Sequence, residues 1–197
     1  AKRILGKDKN FNWFLVARFL SQFATMGFSF YIIYALRRFD MTPIVAGYLT
    51  APLTISQTVA NIGMGWIGDR IGHRAMLILG AFAALLSSVL AWNATSLAWF
   101  YPIFLLTGLA NVSIWTIGMV MTVDFGTEVE RPMYIGLSQT LTAPATIIAP
   151  IIGGWIVDSA GFIPTFIIST TLSVVMIAII IFLVKDPRTH LTAAHRP

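Results

Sequence analysis

The chain has 197 residues, of which 57% are hydrophobic and only 11% are charged. Soluble domains carry roughly 25% charged residues, so this composition excludes a water-solvated core and points to a chain solvated by lipid. It contains no cysteine, which excludes disulfides and thiolate metal sites, and its net charge of +5 collects at segment ends, where lipid headgroups rather than nucleic acid are the expected partner.

Six apolar runs follow one another, each with about the 20 residues needed to cross a bilayer. The first span is predicted from about Phe11 to Leu36 and the second from about Pro43 to Gly68. The third runs from about Arg74 to Trp92 and the fourth from about Leu97 to Asp124. The fifth runs from about Pro132 to Val157 and the sixth from about Pro164 to Val184. Pro43, Pro132 and Pro164 fall in first helical turns, where the missing N–H is not needed. The expected class is therefore an all-α membrane protein of six transmembrane helices.

Lys and Arg set the orientation. One side receives Lys2, Arg3, Lys7, Lys9, Arg70, Arg74, Arg131, Lys185, Arg188 and Arg196, and the other only Arg37 and Arg38. Both termini are thus predicted to be cytoplasmic in a multi-pass protein of the cell membrane. Trp13, Trp66, Trp92, Trp99 and Trp155 fall near helix ends, as an interfacial belt requires, while Trp115 falls near the middle of the fourth span.

Gly65-Trp66-Ile67-Gly68-Asp69-Arg70-Ile71-Gly72 closes the second span, and Gly154-Trp155-Ile156-Val157-Asp158-Ser159-Ala160-Gly161 closes the fifth. The shared pattern G-W-I-x-D-x-x-G ends two helices that run in opposite directions. This predicts two inverted three-helix repeats within one bundle, about 10–92 and about 96–185.

Gly65-x-x-x-Asp69-Arg70-x-Gly72-x-Arg74 resembles the signature of the major facilitator superfamily, in the loop and on the side where that family carries it. His73 departs from the pattern, standing where the family usually has a cation. The chain is similar to the C-terminal six-helix half of that fold. The resemblance implies half of a twelve-helix transporter, partnered by a second six-helix half (a missing N-terminal half or a second copy). It also implies a cytoplasmic latch that breaks during alternating access. The residues expected in it are Gly65, Asp69, Arg70, Gly72 and Arg74, with Asp124 as a further anion.

Polar residues inside spans are costly and tend to face a cavity. Arg18, Gln22, Thr25 and Ser29 share one face of the first span, and Thr107, Asn111, Trp115 and Thr122 share one face of the fourth. The second span offers Gln57 and Asn61, and the fifth offers Gln139, Thr142 and Thr146. The resemblance implies that the first and fourth spans line a path for a small-molecule solute, flanked by the second and fifth. The candidate path residues are Arg18, Gln22, Gln57, Asn61, Asn111, Trp115 and Gln139. Arg18, the one charge well inside a span, either binds an anionic substrate group, snorkels to the cytoplasmic headgroups or forms a structural pair, with the last two favoured. Ala149-Pro150-Ile151-Ile152-Gly153-Gly154 resembles part of the family's antiporter motif, with Ala149 in place of a glycine.

No Asp or Glu lies in mid-membrane, so proton coupling must come from another part of the assembly, or transport is uniport. No nucleophile–base pair or metal cluster is seen, so no catalytic residue, metal or cofactor is expected and an enzyme is disfavoured. The rival reading is a non-transporting scaffold or assembly subunit, which predicts no polar stripes on the first and fourth spans.

Overall fold

The computed structural model describes residues 2–40 and 42–187. Arg188, His190, His195 and Arg196 lie outside the described residues, as do the side chains of Lys2, Arg3 and Lys7. All regular structure among the described residues is helical. A short α1 (Lys2–Lys7) leads into α2 (Lys9–Ala24), a 3-10 turn (Met26–Phe30) and α3 (Tyr31–Arg38), which together make the first span. The segment expected as the second span is α4 (Pro43–Ile71), and the third span is α5 (His73–Asn93). The fourth joins α6 (Phe100–Val112), a π-helical turn (Ser113–Ile117) and α7 (Gly118–Asp124). The fifth is α8 (Arg131–Ala160) and the sixth α9 (Phe162–Phe182).

Five of these segments are long and apolar enough to cross a membrane: Lys9–Arg38, His73–Asn93, Leu97–Asp124, Arg131–Ala160 and Phe162–Phe182. The helix α4 is the exception. Its 29 residues give ample length, but Thr50, Thr54, Ser56, Gln57, Thr58 and Asn61 dilute its apolar character. Several of these groups turn back on their own helix. Thr54 Oγ1 donates to Thr50 O at 3.0 Å, Thr58 Oγ1 to Thr54 O at 2.9 Å and Asn61 Nδ2 to Gln57 O at 2.9 Å. Such back-bonding satisfies a polar side chain where water is absent.

The helix boundaries follow from local chemistry. Asp8 caps α2, its Oδ1 accepting from the Phe11 N–H at 2.9 Å. The turns Gly72 and Gly161 have φ of 99° and 92°, a region that costs a side chain but not glycine. Each ends one copy of the G-W-I-x-D-x-x-G pattern, after helices of 29 and 30 residues. Each is followed by a helix of 21 residues.

The packing scheme is regular. The first span lies against the fifth and sixth, the fourth lies against the second and third, and the third meets the sixth. Two apolar clusters fill the bundle. One gathers Phe11, Phe14, Leu77, Met121, Met176 and Ile180 near the chain ends. The other gathers Tyr31, Tyr34, Leu49, Phe100, Phe104 and Phe166 at the opposite end. There Tyr31 is fully buried, and its hydroxyl shares hydrogen bonds with Ser88 Oγ at 3.0 Å and Ser87 Oγ at 3.3 Å.

Small residues bring helices close where side chains would keep them apart. Gly80 of α5 accepts the Ser113 side chain of the π turn into direct contact, and Ser113 Oγ donates to Met76 O at 3.0 Å. A Cβ at Gly80 would overlap Ser113, whereas a Cβ at Gly136 meets nothing within 4 Å. Gly80→Val should therefore lower the stability of the detergent-solubilised protein by about 1–3 kcal/mol, read as a lower unfolding midpoint. Gly136→Ala is the control and should leave that midpoint unchanged. Equal midpoints for the two variants would show that α5 and the fourth span are not packed as described.

Candidate functional site: a polar cleft and a histidine-centred cluster

Two clefts open beside the fourth span. One, of about 420 Å³, is lined by Gln22, Thr25 and Ser29 of the first span, Thr107, Asn111 and Trp115 of the fourth, and Thr146 and Pro150 of α8. Phe28, Ile32, Leu53 and Phe104 supply its apolar wall. The other, of about 360 Å³, is lined by Gln57 and Asn61 of α4 together with Asn111, Trp115 and Thr116. Asn111 and Trp115 are common to both, so the two form one polar surface running past the π turn. Among the described residues, no Asp, Glu, Lys or Arg lines either cleft.

The side chains are held by one another. Thr146 Oγ1 donates to Gln22 Oε1 at 3.3 Å, joining the fifth span to the first. Gln22 Nε2 in turn donates to Ser21 Oγ at 3.2 Å. Thr116 Oγ1 donates to Asn61 Oδ1 at 3.4 Å, joining the fourth span to the second. The π turn places Trp115 half-exposed at the cleft while Ser113 and Ile114 on the same turn are buried. Side chains two positions apart lie about 200° around a helix axis, so Ser113 faces the core while Trp115 faces the cleft. Nothing in the apolar periodicity of the fourth span announces this turn. The signals available were the unexpected mid-span Trp115 and the close Gly80–Ser113 pair, and the second exists only in three dimensions.

Of the candidate path residues, Gln22, Gln57, Asn61, Asn111 and Trp115 line this surface. Gln139 and Arg18 are not among its lining side chains. Gln139 is exposed on α8, its Nε2 directed at Met119 Sδ at 3.8 Å. Arg18 is buried, with 6% of its surface exposed, and turns away from the cleft. Its guanidinium packs against Gly118 of α7.

At the end of the bundle where α2 begins and α9 ends, charged and polar groups gather. Tyr134 Oη donates to Asp8 Oδ2 at 3.1 Å, Asn10 Nδ2 donates to Lys185 O at 2.9 Å, and the Lys185 N–H donates to Asn10 Oδ1 at 2.7 Å. Of the residues expected in a latch, Asp69 and Asp124 meet through His73, while Arg70 and Arg74 make other contacts. His73, which begins α5, lies 2.6 Å from Asp124 Oδ2 through Nδ1 and 3.5 Å from Asp69 Oδ1 through Nε2. The imidazole is 3% exposed, whereas Asp69 is 74% exposed, so the ring forms the protected centre of the cluster. Gly68 allows this approach, since a Cβ there would sit 3.0 Å from His73 Cδ2.

The arginines have other roles. The Arg70 guanidinium stacks over the Trp66 ring at 3.8 Å, a cation–π contact one turn back on its own helix. Arg74 reaches the end of α9, donating from Nε to Ile180 O at 3.1 Å and from Nη2 to Ile181 O at 2.6 Å. Those carbonyls are unpaired at a helix C-terminus, where a cation is favoured. The turn glycine Gly72 is buried and meets the Asp186 side chain, while Gly65 is half-buried on α4 with open space around it. The sequence marked His73 only as a departure. Its position one helical turn from Asp69 was the available sign of a pair.

An all-helical bundle with several apolar spans and a polar cleft between them defines a multi-pass membrane protein. The sequence profile of the Major Facilitator Superfamily matches residues 14–197, and the chain belongs to that superfamily. Curated relatives include the "Multidrug transporter protein MdtP" of Bacillus subtilis (strain 168), 27% identical over 131 residues, 66% of this chain and 24% of that protein. "Multidrug resistance protein 2" of the same organism is 27% identical over 140 residues, 71% of this chain and 35% of that protein. The "Probable vesicular acetylcholine transporter-B" of Danio rerio is 28% identical over 123 residues, 62% of this chain and 25% of that protein. The chain thus spans about a quarter to a third of the length of these relatives.

The cluster geometry sets an order of effects. His73→Ala leaves the partly buried Asp124 carboxylate without its imidazole and should cost about 1–3 kcal/mol of stability, seen as a lower unfolding midpoint. Arg70→Ala removes an exposed cation–π contact and should cost under about 1 kcal/mol. The reverse order would show that the arginine, not the histidine, holds the cluster.

Proposed function

We propose that this chain is one six-helix half of a transporter that moves a small solute across the cell membrane by alternating access. The observation that carries the proposal is the uncharged polar surface shared by the first, second, fourth and fifth spans. Grouping Gln22, Asn61 and Asn111 on one surface within apolar spans has a cost in lipid that packing alone does not require. A scaffold has no use for such a surface. In this reading Gln22, Gln57, Asn61, Asn111 and Trp115 line the solute path, and α4 is the second of six spans despite its polar stripe.

Paired geometry supports two inverted three-helix repeats, about 10–92 and about 96–185. Matched turns at Gly72 and Gly161 close matched long helices, and the first-to-fifth packing mirrors the fourth-to-second. A second six-helix half completes the path in this proposal. Its seat is the face of α4 and α8, where Ile55, Val59, Ile62, Ile147, Ile151 and Trp155 are exposed and α8 is the least buried of the five apolar spans. The terminus-bearing end is assigned to the cytoplasm because it gathers Lys9, Arg70, Arg74, Arg131 and Lys185. The His73 cluster at that end then latches the cytoplasmic gate, with Asp69 as its exposed member.

Solute uptake into liposomes by the full-length protein tests the reading. Trp115→Ala and Asn111→Ala should lower kcat/KM at least about tenfold, equivalent to about 1.4 kcal/mol, for a solute held between them. Asp69→Asn should abolish uptake while membrane insertion is unchanged. Uptake that is indifferent to all three substitutions would remove both the path and the latch.

A further inference from the structure

The polar side chains of the cleft fall into two groups. Those of the first are satisfied within the protein. Gln22 is tied to Thr146 and Ser21, and Asn61 to the Gln57 carbonyl and Thr116. Thr25 and Thr107 return to their own helix. Those of the second group have no partner: the side chains of Ser29, Gln57, Asn111 and Trp115 make no hydrogen bond among the described residues. The amide atoms of Gln57 and Asn111 nevertheless remain accessible, Ser29 is exposed and Trp115 is half-exposed. Asn111 and Trp115 lie on both clefts, so the unpartnered groups meet on one surface.

An amide both donates and accepts, and so does a hydroxyl. A carboxylate or phosphate could use only the N–H groups of Asn111 and Gln57, and an ammonium only their carbonyl oxygens. A neutral hydroxyl or amide group uses both ends. Among the described residues no charged side chain lines either cleft, and Arg18 is buried elsewhere. An ionised solute leaving water therefore meets no counter-charge on these spans, whereas a neutral one regains its lost hydrogen bonds. The Trp115 ring would attract a cation, but by less than the desolvation of an unpaired ion costs. The same ring offers a flat apolar face, and Phe28, Ile32, Leu53 and Phe104 stand in the same cleft. Its volume of about 420 Å³ falls within the roughly 300–1,000 Å³ of small-molecule sites.

Resting on the reading of this cleft as the solute path, we infer that the solute is an uncharged, ring-bearing molecule with at least one hydroxyl or amide group. Its ring lies against Trp115 and the apolar wall, and its polar group both donates to and accepts from the Asn111 amide. Trp115 then sets how tightly any such ring is held, and Asn111 sets which charge is accepted.

The experiment is isothermal titration calorimetry on the full-length protein in detergent at neutral pH. The probes share one hydroxyphenyl ring and differ in charge: para-hydroxyphenylacetamide is neutral, para-hydroxyphenylacetate an anion and tyramine a cation. The neutral probe should bind at least about tenfold more tightly than either ion. Asn111→Asp should reverse that preference, raising tyramine affinity at least about tenfold while weakening the neutral probe. Gln57→Glu puts a carboxylate on the same surface, should shift the preference the same way, and serves if Asn111→Asp does not fold. Trp115→Ala should weaken all three probes by a similar factor. Absence of saturable binding by the neutral probe would overturn the inference, as would equal or tighter binding of an ion. So would a charge preference that is unchanged in both Asn111→Asp and Gln57→Glu. Failure of the transport reading looks different. Selective binding of the neutral probe without its uptake into liposomes would remove transport and leave the site. Uptake of tyramine or para-hydroxyphenylacetate that depends on Asn111 and Trp115 would keep transport and overturn the neutral class.

Discussion

Every feature of this bundle answers to one constraint: in a hydrocarbon solvent, a polar group must find its partner inside the protein. The backbone meets it by forming helices throughout. The hydroxyl side chains meet it by bonding the preceding turn, as Thr107 does to Ile103 O at 2.8 Å and Thr142 to Ser138 O at 2.7 Å. What cannot be satisfied locally is gathered. Gln22 reaches Thr146, and Thr116 reaches Asn61, so the polar surplus of four spans converges on one cleft. The same constraint makes Arg18 conspicuous, because a guanidinium cannot be silenced by its own helix.

The cluster around His73 shows how a family pattern is modified by one substitution. An imidazole is flat and short and can touch a carboxylate on each ring nitrogen. It therefore fits between Asp69 and Asp124, where Gly68 leaves room. Longer cations are better suited to reach away. Arg74 spans to the carbonyls that end α9, and Arg70 lies along its own helix over Trp66. The three basic residues thus divide three tasks: joining α4 to the fourth span, capping the sixth span and covering an interfacial indole.

The turns and the π segment organise the same architecture from the backbone side. Gly72 and Gly161 reverse the chain in a conformation that other residues adopt only under strain, and each releases a helix of equal length. The π turn lies where Gly80 lets Ser113 approach α5, and it carries Trp115 on the side of the cleft.

Apolar runs and their punctuating prolines and glycines were sufficient to locate the helices, since helix formation in lipid is a local obligation of the backbone. The boundaries of the first, third, fourth, fifth and sixth spans were legible within a turn or so for that reason. The polar stripes on Gln22, Asn61 and Asn111 were legible as well, because spacing along one helix determines which residues share a face. Spacing does not say which of two neighbouring cavities a face meets. Arg18 shares its stripe with Gln22 yet points to a different one. Nor does it choose among charges at one end of a bundle. Side-chain length and the fit of helix against helix gave His73, rather than Arg70 or Arg74, its place between the two carboxylates.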